Sequence, residues 1–134
     1  MRVDVGFDVE GNYEITYKGR PVAPGSGPLP APPVIFLGSL AACAGVFAVD
    51  YLRTRGLPHA GLRVSGEAGH ADDPRRLADL KIHVTLPAPV EERHMAPLRR
   101  AVDLCTLKNT LTHPPAILTD VTAVAVAGAP APRP

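Results

Sequence analysis

Between Pro28 and Val49 none of 22 consecutive residues carries a charge, and no other feature constrains this chain as tightly. Pro28, Pro30, Pro32 and Pro33 keep the first part of the run out of any helix interior. From Pro33 onward the sequence PVIFLGSLAACAGVFAVDYLRTRG reads as one long helix. Pro33 suits its first turn, where a missing N–H has no partner to lose. At the far end Arg53 and Arg55 face the negative end of the dipole, Gly56 can form a left-handed cap, and Pro58 blocks continuation. The result is a rod of about 22 residues, roughly 33 Å long, apolar on nearly every side, which something must enclose.

A bilayer is one candidate, since about 18 apolar residues can span it. The prolines and Asp50 leave the helix about a turn short of a span, and Gly38, Ser39 and Gly45 dilute it. A core helix fits better. Small residues along it, among them Ala41, Ala44, Gly45 and Ala48, allow another backbone to approach closely. A chain of 134 residues has little material to surround such a rod, so part of it is expected to pack against a second copy.

That length fits one ordinary domain, here drawn over residues 1–127, with 128–134 as a flexible tail. Fourteen basic against 13 acidic residues, with three Tyr, three Phe and no Trp, provide neither a basic field nor stacking platforms, which argues against nucleic acid as a partner. The opening residues lack the basic stretch and short apolar core of a secretion signal, so a cytoplasmic location is expected. Five histidines show no ligand spacing and no CxxC occurs, so neither a metal site nor another cofactor is expected.

Taken in order, Val3, Val5, Phe7 and Val9 alternate with polar residues as a half-buried strand, Glu10–Asn12 turns the chain, and Tyr13–Tyr17 returns as its antiparallel neighbour. Lys18-Gly19-Arg20 ends the hairpin. Six of the 13 residues from Pro21 to Pro33 are proline, a stiff connector leading into the helix. Beyond the helix, Leu62–Ala68 and Leu80–Leu86 alternate as strands around a polar turn at Gly69–Arg76, with His83 on the outer, solvated face. Met95, Leu98, Val102 and Cys105 recur at helical spacing within Val90–Leu111, where Pro97 predicts a kink or two short helices. Ile117–Val126 reads as a last strand. The whole is α+β, a mostly antiparallel sheet with a long buried central helix and a second helix on one face.

Cys43 lies near the middle of the apolar helix, and Cys105, the other cysteine, follows 62 residues later on an inward-facing stripe. Both could be inert, because free cysteine behaves as a small buried hydrophobe. If they meet, the chemistry changes: a peroxide would oxidise one thiolate to a sulfenic acid, and the other thiol would condense with it. An apolar pocket raises a thiol pKa, so a reactive Cys43 requires a cation from outside its own helix. Arg20, which the proline loop can return over the helix, is the first candidate cation and Lys108 the second; an ordinary exposed turn residue is the plainer account of Arg20.

Two segments carry a resemblance. PPVIFLGSLAACAGVFAVDYLRTRGL resembles the central-helix signature of the OsmC/Ohr family, the osmotically inducible and organic hydroperoxide resistance proteins, and RAVDLCTLKNTLTHPP resembles that family's second cysteine motif. The resemblance implies an intertwined homodimer and a thiol peroxidase that reduces small hydrophobic peroxides to alcohols. On it, Cys43 corresponds to the peroxidatic cysteine, Cys105 to the resolving cysteine and Arg20 to the thiolate-stabilising arginine, while an external dithiol restores the pair. One position departs from the pattern: the family's glutamate, in a Pro-Glu pair at the helix start, is replaced by Pro33. The alternative reading is a family member with slow thiols that binds or senses a small hydrophobic molecule. A sheet around a long apolar helix also describes hot-dog-like acyl thioester binders, but the cysteine pair and the lack of a carboxylate base argue against that.

Overall fold

Alternation near the N-terminus produces the pairing it predicts in the computed structural model of the chain, which describes residues 2, 4–7, 13–22 and 28–124. Strands β1 (Asp4–Phe7) and β2 (Tyr13–Tyr17) form an antiparallel ladder from Asp4 opposite Thr16 to Phe7 opposite Tyr13. Arg20, expected at the end of a hairpin, instead begins a third strand: β3 (Arg20–Pro21) runs back along β2, with Tyr17 opposite Arg20. Lys18 and Gly19 at φ 52° and 73° make this possible, because a two-residue turn with both φ positive matches the twist of the strands it joins. The substantial contacts of these strands are with one another. The expected turn at Glu10–Asn12, the centre of the proline loop at 23–27 and the tail at 128–134 lie outside the described residues.

Helix α1 (Pro32–Thr54) has 23 residues and begins on two prolines in its first turn, as the missing N–H groups allow. It stops where Gly56, at φ 66°, donates its N–H to the Arg53 carbonyl at 3.1 Å while Leu57 donates to the Leu52 carbonyl at 2.9 Å. Those paired bonds satisfy carbonyls that the end of a helix leaves free. Leu40, Ala41, Ala44, Gly45, Ala48, Tyr51 and Leu52 form its buried stripe. Leu52 is wholly buried in a core with Ala48, Tyr51 and Leu98.

Strands β4 (Arg63–Asp72) and β5 (Arg75–Thr85) form a second antiparallel sheet against α1. A Cβ on Gly45 would stand 3.1 Å from the Val64 side chain, and one on Gly66 would stand 3.1 Å from Leu37, so helix and strand approach more closely here than an added methyl allows. The strands run past the polar segment expected to be a turn at Gly69–Arg76 and reverse only at Asp73-Pro74. Polarity misled there because this end of the hairpin carries polar residues on exposed positions of both strands while still forming its ladder. Glu67 faces Lys81 but Gly69 faces Ala78, and Asp79 sits at φ 52°, so β5 carries a bulge that resets its alternation.

A 3-10 turn at Glu92–His94 leads into α2 (Met95–Asp103), and α3 (Thr106–Thr112) follows. Two short helices were expected, but the break falls at Leu104-Cys105 rather than at Pro97. Pro97 is the third residue of α2, within the first turn, where N–H groups have no intrahelical partner. The strand expected at Ile117–Val126 is absent from its described part, 117–124, which has no regular structure. A strand exists only with a ladder partner, and this segment has none among the described residues of one chain. Ile117, Leu118, Val121 and Val124 are 86%, 95%, 88% and 94% exposed.

The architecture is therefore α+β, and among the described residues every strand pair is antiparallel and the single expected sheet divides into one of three strands and one of two. Helix α1 is long and apolar enough, by length and composition, to cross a membrane, which corrects the expectation that it falls a turn short. Its buried stripe packs against β4, β5 and α2 as a core helix does. Outside that stripe Val34, Phe36 and Val46 remain exposed.

Candidate functional site

Cys43 projects from the middle of α1 at the edge of the buried stripe and is half-buried. Cys105 reaches the same place from the break between α2 and α3, where it occupies the position preceding α3 and is 1% exposed. The two are near enough that each acts on the other's ionisation, and both are free thiols. Because α3 starts directly after Cys105, the unpaired N–H groups of its first turn face Cys43 as well.

These contacts make the two sulfurs unequal. Burial pushes the Cys43 thiol up, but the hydrogen bond from Cys105 and those from the backbone N–H groups of Leu107 and Thr106 outweigh it, so Cys43 ionises below the ordinary thiol value. Burial pushes Cys105 up, and holding its proton on Cys43 raises it further; the N–H groups of Lys108 and Leu107 oppose this only in part. The first proton lost from the pair is therefore that of Cys43. A low-pKa thiolate beside a protonated thiol is a nucleophile next to its own condensation partner.

The third residue singled out from the sequence is not brought to the pair within one chain. Arg20 is exposed in β3, and the groups acting on Cys43 are Cys105 and the two amides. The Lys108 ammonium, the second candidate, pairs with the Asp103 carboxylate, and its backbone N–H acts on Cys105. Arg55 lies 3.7 Å above the ring of Tyr51, whose hydroxyl hydrogen-bonds Nδ1 of His94 at 3.1 Å, a cluster at the opposite end of α1. Sequence reasoning sought a cation and missed the amides of Thr106 and Leu107. The signal for them was a helix start at Thr106, hidden because the spacing of apolar residues carried one helix through Cys105.

Cys105 also forms part of the wall of a cavity of about 610 Å³ between α1, β5, α2 and α3. Its lining is largely apolar, with Leu40, Ile82, Leu98, Val102 and Leu111, and its polar side includes Asp103 and Lys108. His83, expected on a solvated face, is exposed and stands on the same wall. Such a volume suits a small apolar molecule, and of the two cysteines it is Cys105 that lines it. Among the described residues, no three His, Cys, Asp or Glu side chains are grouped so that they could hold a metal ion.

Comparison with known proteins bears on the family and the fold. The family model described as OsmC-like protein matches residues 25–120. A solved structure from Psychrobacter arcticus 273-4, whose description is that of an osmotic stress induced and detoxification response protein, superimposes with a TM-score of 0.70 at 18% identity, covering 81% of this chain and 85% of that one. A hypothetical protein from Aquifex aeolicus VF5 superimposes with a TM-score of 0.67, also at 18% identity, over 84% of this chain and 87% of its own. At such identities the likeness is one of fold. No curated protein sequence matches the chain.

Proposed function

The chain belongs to the OsmC-like protein family, and from that premise we propose that it is a thiol-dependent peroxidase that reduces small organic hydroperoxides to alcohols. One observation carries the reading: Cys43 on α1 and Cys105 at the start of α3 are near enough to shift each other's ionisation, in the direction that favours a thiolate at Cys43 and a proton on Cys105. The Cys43 thiolate attacks the terminal peroxide oxygen, the O–O bond breaks, and the alkoxide leaves as the alcohol after taking a proton. Cys43 is then a sulfenic acid. Cys105 attacks that sulfur, water departs, and a Cys43–Cys105 disulfide forms, so that one hydroperoxide and two thiols become one alcohol, one water and one disulfide. An external dithiol in a reducing, cytoplasmic setting returns both cysteines to thiols.

The working unit proposed is a homodimer. The bare apolar surface of α1 and of the 117–124 segment is what a second copy would cover. Arg20 remains the candidate thiolate stabiliser in that assembly, reaching Cys43 across the interface.

Treatment of the reduced protein with an organic hydroperoxide tests the reading. Loss of two thiols per chain, appearance of a Cys43–Cys105 disulfide and abolition of turnover by Cys43→Ser are expected. Thiols that survive an excess of hydroperoxide would leave the other reading, a family member that binds or senses a small hydrophobic molecule in the 610 Å³ cavity.

A further inference from the structure

We propose that Asp103 and Lys108 form a clasp across the break between α2 and α3 that positions Cys105 and the first amides of α3 against Cys43. The proposal rests on the reading of Cys43 and Cys105 as the reacting pair, and it makes Asp103 and Lys108, which also stand on the cavity wall, positioning residues that act through Cys105 and the first amides of α3.

Helix α2 ends at Asp103 and α3 begins at Thr106, leaving Leu104 and Cys105 between them. The backbone at Cys105 is extended, at φ −48° and ψ 123°, so the direction of α3 is not a continuation of α2. Packing holds α3 weakly, since its contacts are with α1 and its apolar residues Leu107 and Leu111 are 37% and 42% exposed. What ties α3 back to α2 is the ion pair from the Lys108 ammonium to the Asp103 carboxylate, supported by a bond at 3.4 Å from the Asn109 side-chain amide to the Leu104 carbonyl. Everything that acts on Cys43 from this side, namely the Cys105 thiol and the N–H groups of Thr106 and Leu107, lies between the two ends of that pair. Hydrogen bonds weaken steeply as distance and angle degrade, so a modest swing of α3 would loosen all three together.

A rival account gives Lys108 a direct role as a cation near the thiolate, and the two accounts differ in sign at Asp103. Removing the carboxylate leaves Lys108 charged and unpaired. A through-space effect would then favour the Cys43 thiolate, whereas a lost clasp disfavours it. The experiment follows the rate of iodoacetamide alkylation of Cys43 against pH, by mass spectrometry, in the full-length reduced protein. Asp103→Asn and Lys108→Gln are each expected to slow alkylation by about two- to fivefold below the Cys43 ionisation midpoint, the range that one half-exposed ion pair can hold. The double exchange Asp103→Lys with Lys108→Asp is expected to restore it. Faster or unchanged alkylation in Asp103→Asn, or a loss that the double exchange does not restore, overturns the clasp. The assay uses no hydroperoxide, so a protein with this signature that leaves hydroperoxide untouched would retire the peroxidase reading and keep the clasp.

Discussion

Replacing Cys105 in two ways separates the two tasks assigned to it. The first task is to donate a hydrogen bond to the Cys43 thiolate, and the second is to attack the sulfenic acid. Cys105→Ser keeps an O–H donor and loses the attacking sulfur; Cys105→Ala loses both. A hydrogen bond to a charged group contributes about 1.5–3 kcal/mol, so the alanine variant should hold about ten- to a hundredfold less thiolate at pH values below the Cys43 ionisation midpoint. Part of that loss is returned, because a thiolate of higher pKa is the stronger nucleophile with a Brønsted slope near 0.4–0.5, leaving a net decrease of about three- to tenfold in the rate of the first oxidation. Cys43 is only half-buried, which places the expectation toward the lower end. The assay is a single-turnover reaction with an organic hydroperoxide, following sulfenic acid by a trapping reagent. Cys105→Ser should approach the wild-type rate and Cys105→Ala should lag, while both accumulate sulfenic acid and over-oxidise because neither can close the disulfide. An alanine variant as fast as wild type would refute the claim that the thiol prepares its neighbour.

The same asymmetry has a signature in stability. Cys43 has a lowered folded pKa, so its contribution is present above the ordinary thiol value of about 8.5 and is lost as pH falls through the folded value; Cys105 has a raised one, so its contribution is present below about 8.5 and is lost as pH rises through its folded value. Relative to a variant with both cysteines replaced by serine, the urea midpoint of the reduced protein should therefore peak near the ordinary thiol range and decline on either side; a flat difference would mean that the two thiols do not interact as described. For the dimer, Leu118→Asp with Val121→Asp alters residues that are exposed in the single chain, so stability within one chain should change by no more than about 0.5 kcal/mol. The mass in sedimentation should fall from two chains to one, and Arg20→Ala should slow Cys43 alkylation in the dimer but not in that variant; a wild-type protein that sediments as one chain removes the premise.

Much of the fold is written in local patterns that need no partner. The prolines that open α1, the left-handed Gly56 that closes it and the alternation that pairs β1 with β2 are each decided by a few neighbouring residues, and each is legible. Legibility fails where a nonlocal contact decides. Nothing in Gly69–Arg76 announces that β4 and β5 continue pairing through polar residues, since that depends on a register shift across the hairpin at Asp79, outside the segment itself. The segment 117–124 has the composition of a strand but, among the described residues, no strand to join. At the site the two sulfurs were visible as residue types with the right separation, but the amides that act on Cys43 belong to the backbone and have no letter in the sequence. Only the position of a helix break could reveal them, and apolar spacing at Leu98, Val102 and Cys105 ran across that break.

That break also bears on the departure at the start of α1. A guanidinium can stabilise a thiolate only if something orients it, and Pro33, standing where the resembling family places a glutamate, has no carboxylate with which to do so. Backbone amides need no such help: they are fixed by the helix they begin and lose no side-chain entropy in pointing at a charge. With the Lys108 ammonium engaged by Asp103 and Arg20 not among the groups acting on Cys43 within one chain, the donors from Thr106, Leu107 and Cys105 are what outweighs burial at Cys43. A chain that stabilises its nucleophile this way should depend less on its arginine than on the orientation of α3, so the ion pair between Asp103 and Lys108 should affect Cys43 ionisation in the isolated chain, where Arg20 does not.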